Sequence, residues 1–357
     1  MERLIDSNCN VDMLVSMSKK NDEINNIEIS NKEIISKDKR FLYSINDSKA
    51  QVLRYLGNEK KIIVPSIIDD YCVNEIEEGA FDNCTSIEEL YIDYGIEIIG
   101  QSAFNGCINL QKIYIPSSIR IIDILAFNNC VNLINIENGS GIEIIEDYAF
   151  TNCCKLNEIN IDLHVISIGK NAFSGCISLE QINVSKNNKK YVECQGVLYN
   201  FEKTKLIKYP ANKKDVFYEV IDSVKVIIDE AFAGSKILER IILPESVEVI
   251  GEGAFSECKS LNKINLPDNI SEINYYAFQD CISLKEITLP LKLEYIDVLL
   301  FSGCILLEKI TLSQNIKEIR LEAFKDCYSL NEVRIKNDTL IQQFKSMGIK
   351  IIKIKAA

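Results

Sequence analysis

The chain has 357 residues, with 52 acidic against 40 basic side chains and a net charge of −12. That balance argues against nucleic acid as a partner, because a phosphate-binding surface must carry a net basic patch. Apolar residues make up 47% of the chain, enough for a large core, but no run reaches the roughly 18 apolar residues of a transmembrane helix.

Residues 1–38 come first. They are rich in Asn, Asp, Lys and Ser and are expected to be mobile. Glu2, Asp6, Asp12, Asp22 and Glu23 occupy the region where a signal peptide would carry a basic start and an apolar core. The expectation is therefore a cytoplasmic protein. The alternative is a cell-surface or secreted one whose signal was trimmed or whose export is non-classical. Residues 39–72 are expected to form N-terminal capping strands around Phe41-Leu42-Tyr43, Val52 to Gly57 and Ile62 to Pro65.

From 73 to 335 a 23-residue unit recurs. Phe81, Phe104, Phe127, Phe150 and Phe173 stand 23 residues apart, as do Phe232, Phe255, Phe278, Phe301 and Phe324. Ala precedes each except Phe301, which follows Leu300. A Cys comes three residues later, as at Cys107 or Cys281, with Ser235 the one exception. A Leu, or once Ile87, comes six residues later. At nine and eleven residues apolar side chains return, as in Ile113 and Ile115, which is strand alternation. Pro116, Pro244, Pro267 and Pro290 then end strands by removing a donor. A second apolar pair follows, such as Ile119 with Ile122. One such unit cannot bury its own apolar side, so the units must stack.

The stretch Leu261-Asn262-Lys263-Ile264-Asn265-Leu266-Pro267, continuing through Ile270, Ile273, Ala277-Phe278 and Cys281 to Leu284, resembles the BspA-type leucine-rich repeats. The resemblance covers about residues 41 to 335. It implies a β-rich leucine-rich-repeat solenoid of the α/β right-handed superhelix type, with parallel strands stacked coil by coil and short turns or helices between them. It also implies a bacterial or protist protein, in a family with many surface-exposed members implicated in adhesion.

The repeat is interrupted once. Phe173 and Phe232 are 59 residues apart, 36 more than one unit, and the irregular insert is placed at 185–217. Tyr191 to Tyr199 alternates like a strand, Leu206 to Tyr209 reads as its return, and a hairpin is expected around Asn200 to Thr204. The family has irregular units resembling Gly196-Val197-Leu198-Tyr199 and Leu206-Ile207-Lys208-Tyr209-Pro210. Eight lysines between 186 and 214 face only Glu193 and Glu202. This is either a solvated loop that keeps an edge soluble or a docking patch for an acidic partner or an anionic surface. Residues 336–357 are expected to cap the far end, with a short helix near Leu340 to Met347 and a last strand at Ile349 to Ile354.

The residues offer little chemistry. His164 is the single histidine, and it lacks a flanking motif. Phosphate-loop, GxGxxG and HExxH sequences are absent. Nine of thirteen cysteines share one place in the repeat and should form an inward ladder of thiols that behave as small hydrophobes. That geometry does not offer the closed tetrahedron of a zinc site. Disulfides between neighbouring coils remain possible by spacing, though the apolar surroundings favour free thiols. Cys9, Cys72, Cys154 and Cys194 lie outside the ladder. No enzyme, cofactor or metal is expected.

The remaining surface is the outward side of the main strands, eight and ten residues after each Phe. It supplies Glu89, Tyr91, Lys112, Tyr114, Glu137, Arg240, Lys263, Lys309 and Arg334 as candidate partner-binding residues. The expected function is a monomeric, non-enzymatic scaffold for a protein partner. The alternative is a cell-surface adhesin for host or neighbouring-cell proteins.

Overall fold

Short strands with β-branched inward residues form wherever the period-two pattern runs. The computed structural model describes residues 33–335, 340–346 and 350–353. The strand Lys112–Ile115 buries Ile113 and Ile115 and turns Lys112 and Tyr114 outward. It pairs in parallel and in register with Glu89–Ile92 below and Asn135–Asn138 above. A second strand on the opposite side, Ile121–Ile122, pairs the same way with Ile98–Ile99 and Ile144–Ile145. The third side of each coil is the Ala-Phe turn. It has no strand, but its ladder persists: the Phe104 amide donates to the Ala126 carbonyl and Phe127 to Ala149, each at 2.8 Å. The molecule is thus a parallel-strand solenoid in which turns, rather than helices, link the strands. The one α-helix among the described residues is Ile341–Ser346.

Two side-chain columns run up the core. Phe81, Phe104, Phe127, Phe150 and Phe173 stack with centroids 4.7 to 5.9 Å apart. Tyr55 closes the lower end of this column at 5.1 Å from Phe81. The rings from Phe232 to Phe324 stack in the same way, and this run ends where Phe344 tilts over Phe324 at 5.8 Å. The second column is the cysteines. Every ladder thiol except Cys84 donates to the Phe carbonyl of the coil beneath, as Cys107 does to Phe81 at 3.2 Å and Cys258 to Phe232 at 3.2 Å. Cysteine is therefore chosen here for fit and for a donor, because an unmet buried carbonyl is costly.

The nine ladder cysteines, Cys72 and Cys194 are free thiols. Burial pushes the thiols up, to about 12 at Cys176, Cys258 and Cys327. Since the thiolate is the nucleophile, these groups should be inert. Iodoacetamide on the native chain is expected to alkylate exposed Cys72 before any buried ladder thiol, as read by peptide mass. Labelling of Cys130 or Cys281 without denaturant would mean that the coils open.

The insert differs from its sequence pattern in two ways. First, Tyr209 stands 23 residues before Phe232 and takes the phenylalanine place, stacking on it at 5.0 Å. The interval of 59 is therefore two repeats with 13 residues left over, not one repeat plus a 36-residue loop. Second, the single strand expected from Tyr191 to Tyr199 is two, Tyr191–Cys194 and Val197–Asn200, antiparallel about a turn at Gln195 and Gly196. Both turn residues have positive φ, as a two-residue hairpin loop of this hand requires. Val197–Asn200 then pairs antiparallel with Lys205–Lys208, so a second hairpin does lie at 201–204.

This hairpin strand joins two cores. Buried residues from Phe41 to Ile182 form one cluster and those from Val197 to Phe344 another. Val197 and Tyr199 belong to the second and Leu198, between them, to the first. Asn188, itself buried, fastens the segment. Its Nδ2 donates to the carbonyls of Asp162 (2.6 Å) and Val165 (3.0 Å). Its Oδ1 accepts from the amides of Lys190 and Tyr191, each at 2.8 Å.

Residues 1–32, most of the segment expected to be mobile, lie outside the described residues. Ile34–Ile35, at its end, is a strand paired with Phe41–Asn46. Lys61–Val64, within the expected cap, pairs in parallel with Glu89–Ile92 and so starts the main strand face. At the C-terminal end, Lys350–Lys353 pairs in parallel with Glu332–Ile335.

Candidate interaction face

Strand register sorts the outward side chains into two lanes. One runs Lys61, Glu89, Lys112, and later Glu286, Lys309, Glu332, Lys350. Its signs alternate, so opposite charges meet across strands. Lys61 lies 3.4 Å from Glu89, and Lys309 lies 3.2 Å from Glu286. Along the strand, Arg334 pairs with Glu332 at 2.8 Å. Exposed pairs of this kind add little stability, but they occupy the charges that a partner would otherwise meet.

The other lane holds Ile63, Tyr91, Tyr114 and Glu137 on consecutive strands. Tyr91 and Tyr114 stack with centroids 4.1 Å apart and planes 8° from parallel. The Lys61 ammonium sits 4.4 Å over the free face of Tyr91, and the Tyr91 hydroxyl donates to Glu89 at 3.0 Å. This locks a pair of amphipathic rings on a rigid sheet. Ile63 is exposed beside them.

The nine residues read from sequence do not form one patch. Glu89, Tyr91, Lys112, Tyr114 and Glu137 share the four-stranded sheet that ends at Asn135–Asn138. Arg240 and Lys263 lie on a separate three-stranded sheet, where the Arg240 guanidinium covers the Phe217 ring at 5.4 Å. Lys309 and Arg334 lie on a third. Lys61, Ile63 and Phe217 were missed, although Lys61-Ile62-Ile63-Val64-Pro65 carries the alternation and proline of the repeat.

The first break follows from three residues. Asn138 stands where Ile115 stands one coil earlier, an inward place that a polar side chain cannot fill cheaply. Gly139 and Gly141 follow. A Cβ on Gly139 would meet the Ser117 backbone nitrogen, and one on Gly141 the Ser117 carbonyl. The corner therefore presses onto the coil below, and Asn135–Asn138 makes no strand pair with Glu158–Ile161. A cleft of about 500 Å³ opens there, lined by Glu137, Asn138, Asn160, Asp162 and Asn183, with Ile136, Ile161 and Val184.

The lysine-rich insert is less free than its composition suggests. Lys208 is buried in the place of the repeat's alanine, and its Nζ donates to the Glu230 carbonyl at 2.9 Å. Burial pulls its pKa down. Lys213 pairs with Asp215, and Lys214 with Glu180 at 3.1 Å. Lys186, Lys189 and Lys190 stay exposed around Asn188. His164 is exposed at its corner, with Nδ1 at 2.6 Å from the Ser140 carbonyl oxygen. No helix among the described residues is long and apolar enough to cross a membrane.

Stacked parallel-strand coils, each with leucine at one inward place and a polar strand face, define a leucine-rich-repeat protein. The chain belongs to the BspA type leucine rich repeat family, whose model matches residues 74–196 and 225–347 in six copies. It is similar to a leucine rich cell surface protein from Faecalibacterium prausnitzii, at 25% identity and a TM-score of 0.69, over 91% of this chain and 98% of that one. It is also similar to a leucine-rich repeat protein from Eubacterium ventriosum, at 26% identity and a TM-score of 0.66, over 84% and 83%. The pneumococcal vaccine antigen PcpA shares the fold, at 22% identity and a TM-score of 0.74, over 91% and 99%. No curated protein matches the chain.

Proposed function

We propose that this chain is a non-enzymatic scaffold that binds a protein partner through its main strand face. The observation that carries this is the stacked Tyr91–Tyr114 pair, held at 4.1 Å between Ile63 and Glu137. Tyrosine offers large contact area at low entropic cost and is enriched at binding hot spots. The charged lane beside it is internally paired and supplies register and solubility. The non-enzymatic part is supported by the side chains themselves: the buried thiols are held protonated, and His164 is engaged by a backbone carbonyl.

In calorimetry with a partner purified on the wild-type chain, the Tyr91→Ala/Tyr114→Ala double variant is expected to lose at least about tenfold in affinity, or about 1.4 kcal/mol. Unchanged affinity would remove this face from consideration.

A second reading, a cell-surface adhesin, draws on the Faecalibacterium protein described as a cell surface protein. The first reading places the chain in the cytoplasm and the second outside. Protease shaving of intact cells distinguishes them, since only a displayed solenoid is cut.

A further inference from the structure

Most lysines of the insert carry a charge that the fold does not use. Lys208 is buried, and Lys213 and Lys214 are paired with acids. The other five of the eight, Lys186, Lys189, Lys190, Lys203 and Lys205, make no ion pair among the described residues, and neither does Lys225. All are exposed except half-buried Lys203.

Backbone contacts gather these six lysines at one place. Lys186, Lys189 and Lys190 belong to the corner that follows the strand Gln181–Val184. The Phe201 amide donates to the Lys190 carbonyl at 2.8 Å, which sets the tip of the second hairpin beside that corner. The Ser223 hydroxyl donates to the Lys203 carbonyl at 2.9 Å, and the Lys225 amide to the Thr204 carbonyl at 2.8 Å, so the next corner follows. The acids among them are Glu193, whose carboxylate accepts from the Gly196 amide, Glu202, which accepts from the Asn200 side chain at 3.0 Å, and exposed Asp222. Six ammonium groups against three carboxylates make this a positive region on a chain of net charge −12.

Large apolar side chains are exposed in the same region. Phe201, at the hairpin tip, is 48% exposed. Asn188 holds the carbonyls of Asp162 and Val165, so the corner carrying exposed Leu163 and Ile166 is fastened to the one carrying Lys189 and Lys190. Lysine alone suits any polyanion. Lysine interleaved with an aromatic ring and two aliphatic side chains suits a surface that is anionic at its headgroups and apolar a few ångströms below.

We propose that this corner is a contact site for an anionic lipid membrane. The Phe201 ring enters the interfacial layer, and the lysine ammonium groups meet the headgroup phosphates. The lysine stems add apolar cover around Leu163 and Ile166. The site is separate from the Tyr91–Tyr114 pair and does not depend on the strand-face reading.

The test is flotation of the full chain with vesicles of equal parts phosphatidylcholine and phosphatidylglycerol, and with phosphatidylcholine vesicles. Binding is expected to the first alone, weakened by salt. The Lys189→Glu/Lys190→Glu variant is expected to lower partitioning at least about tenfold. Lys285→Glu/Lys292→Glu, which changes the net charge equally on exposed lysines of other coils, should cost far less. The chain has no tryptophan, so Phe201→Trp supplies a single indole whose emission should move to the blue on the anionic vesicles. No binding to those vesicles, equal binding to phosphatidylcholine, equal loss in the two lysine variants or an unshifted indole would overturn the assignment. Capture by polyglutamate without capture by the vesicles would also overturn it, and would mark the corner as a site for an acidic protein.

Discussion

Replacing Phe255 by alanine is expected to cost about 4 kcal/mol of unfolding free energy, read from urea denaturation followed by circular dichroism. Phe255 is completely buried, between Phe232 at 5.1 Å and Phe278 at 5.2 Å. Truncation removes one aromatic transfer and two stacked contacts, and it leaves a void in the middle of a column. The void has little means of closing. The Phe255 amide is tied to the Ala277 carbonyl at 2.8 Å, and the Phe255 carbonyl accepts the Cys281 thiol at 3.1 Å, so the backbone of each coil is pinned to the next. Because a solenoid is stabilised by nearest-neighbour interfaces, the loss falls on the coils that hold Phe232 and Phe278 before any others. A cost below about 2 kcal/mol would mean that the column collapses around the gap, contrary to this packing.

The second large effect is at Asn188. Its alanine variant removes four hydrogen bonds at once and leaves two carbonyls and two amides without partners. Part of that segment is open to water, so the total is expected near 3 kcal/mol rather than the full sum of four desolvation terms. Hydrogen exchange is the sensitive readout. Amides of the Tyr191–Cys194 and Val197–Asn200 strands should lose protection, and so should Ile168, whose amide donates to the Tyr191 hydroxyl at 2.8 Å. Asn188→Asp, which retains only the acceptor side, should fall between alanine and wild type. Unchanged protection in the alanine variant would show that the hairpins hold without this clasp.

The periodic part of the molecule could be read from the chain because every coil faces nearly the same neighbours. The same demands then recur at each step: an aromatic to stack, a thiol donor for the carbonyl below, and alternating apolar residues for the strand. What could not be read arises where one coil departs from the rest. Tyr209 was concealed because Lys208 replaces the usual alanine and 13 extra residues shift its spacing from Phe173. Asn138, Gly139 and Gly141 look like ordinary loop composition. Their effect is apparent only once Ser117 lies against them and the next strand fails to pair.

The same reason explains the candidate site. Alternation gives the outward direction of Tyr91, Arg240 and Lys309. It carries no information on whether adjacent coils are hydrogen-bonded, so one stripe in the sequence became several sheets in space. Asp162 and Asn188 had no signal at all, since a corner Asp and a loop Asn acquire their roles only from what packs over them.

The divided core has a mechanical consequence. No ring contact joins Phe173 to Tyr209 among the described residues, so at this one joint the aromatic column gives way to polar seating. Lys170 reaches Asp229 at 3.2 Å and Glu252 at 3.4 Å, Lys214 reaches Glu180, and the Asn212 amide holds the Leu179 carbonyl at 2.8 Å. These charges are partly exposed and so are screened by electrolyte, whereas stacked rings are not. Bending stiffness is therefore uneven along the molecule. At the seam it rests on the buried Val197–Tyr199 strand together with these ion pairs, so part of the seam's stiffness, unlike that of the stacked rings, depends on ionic strength.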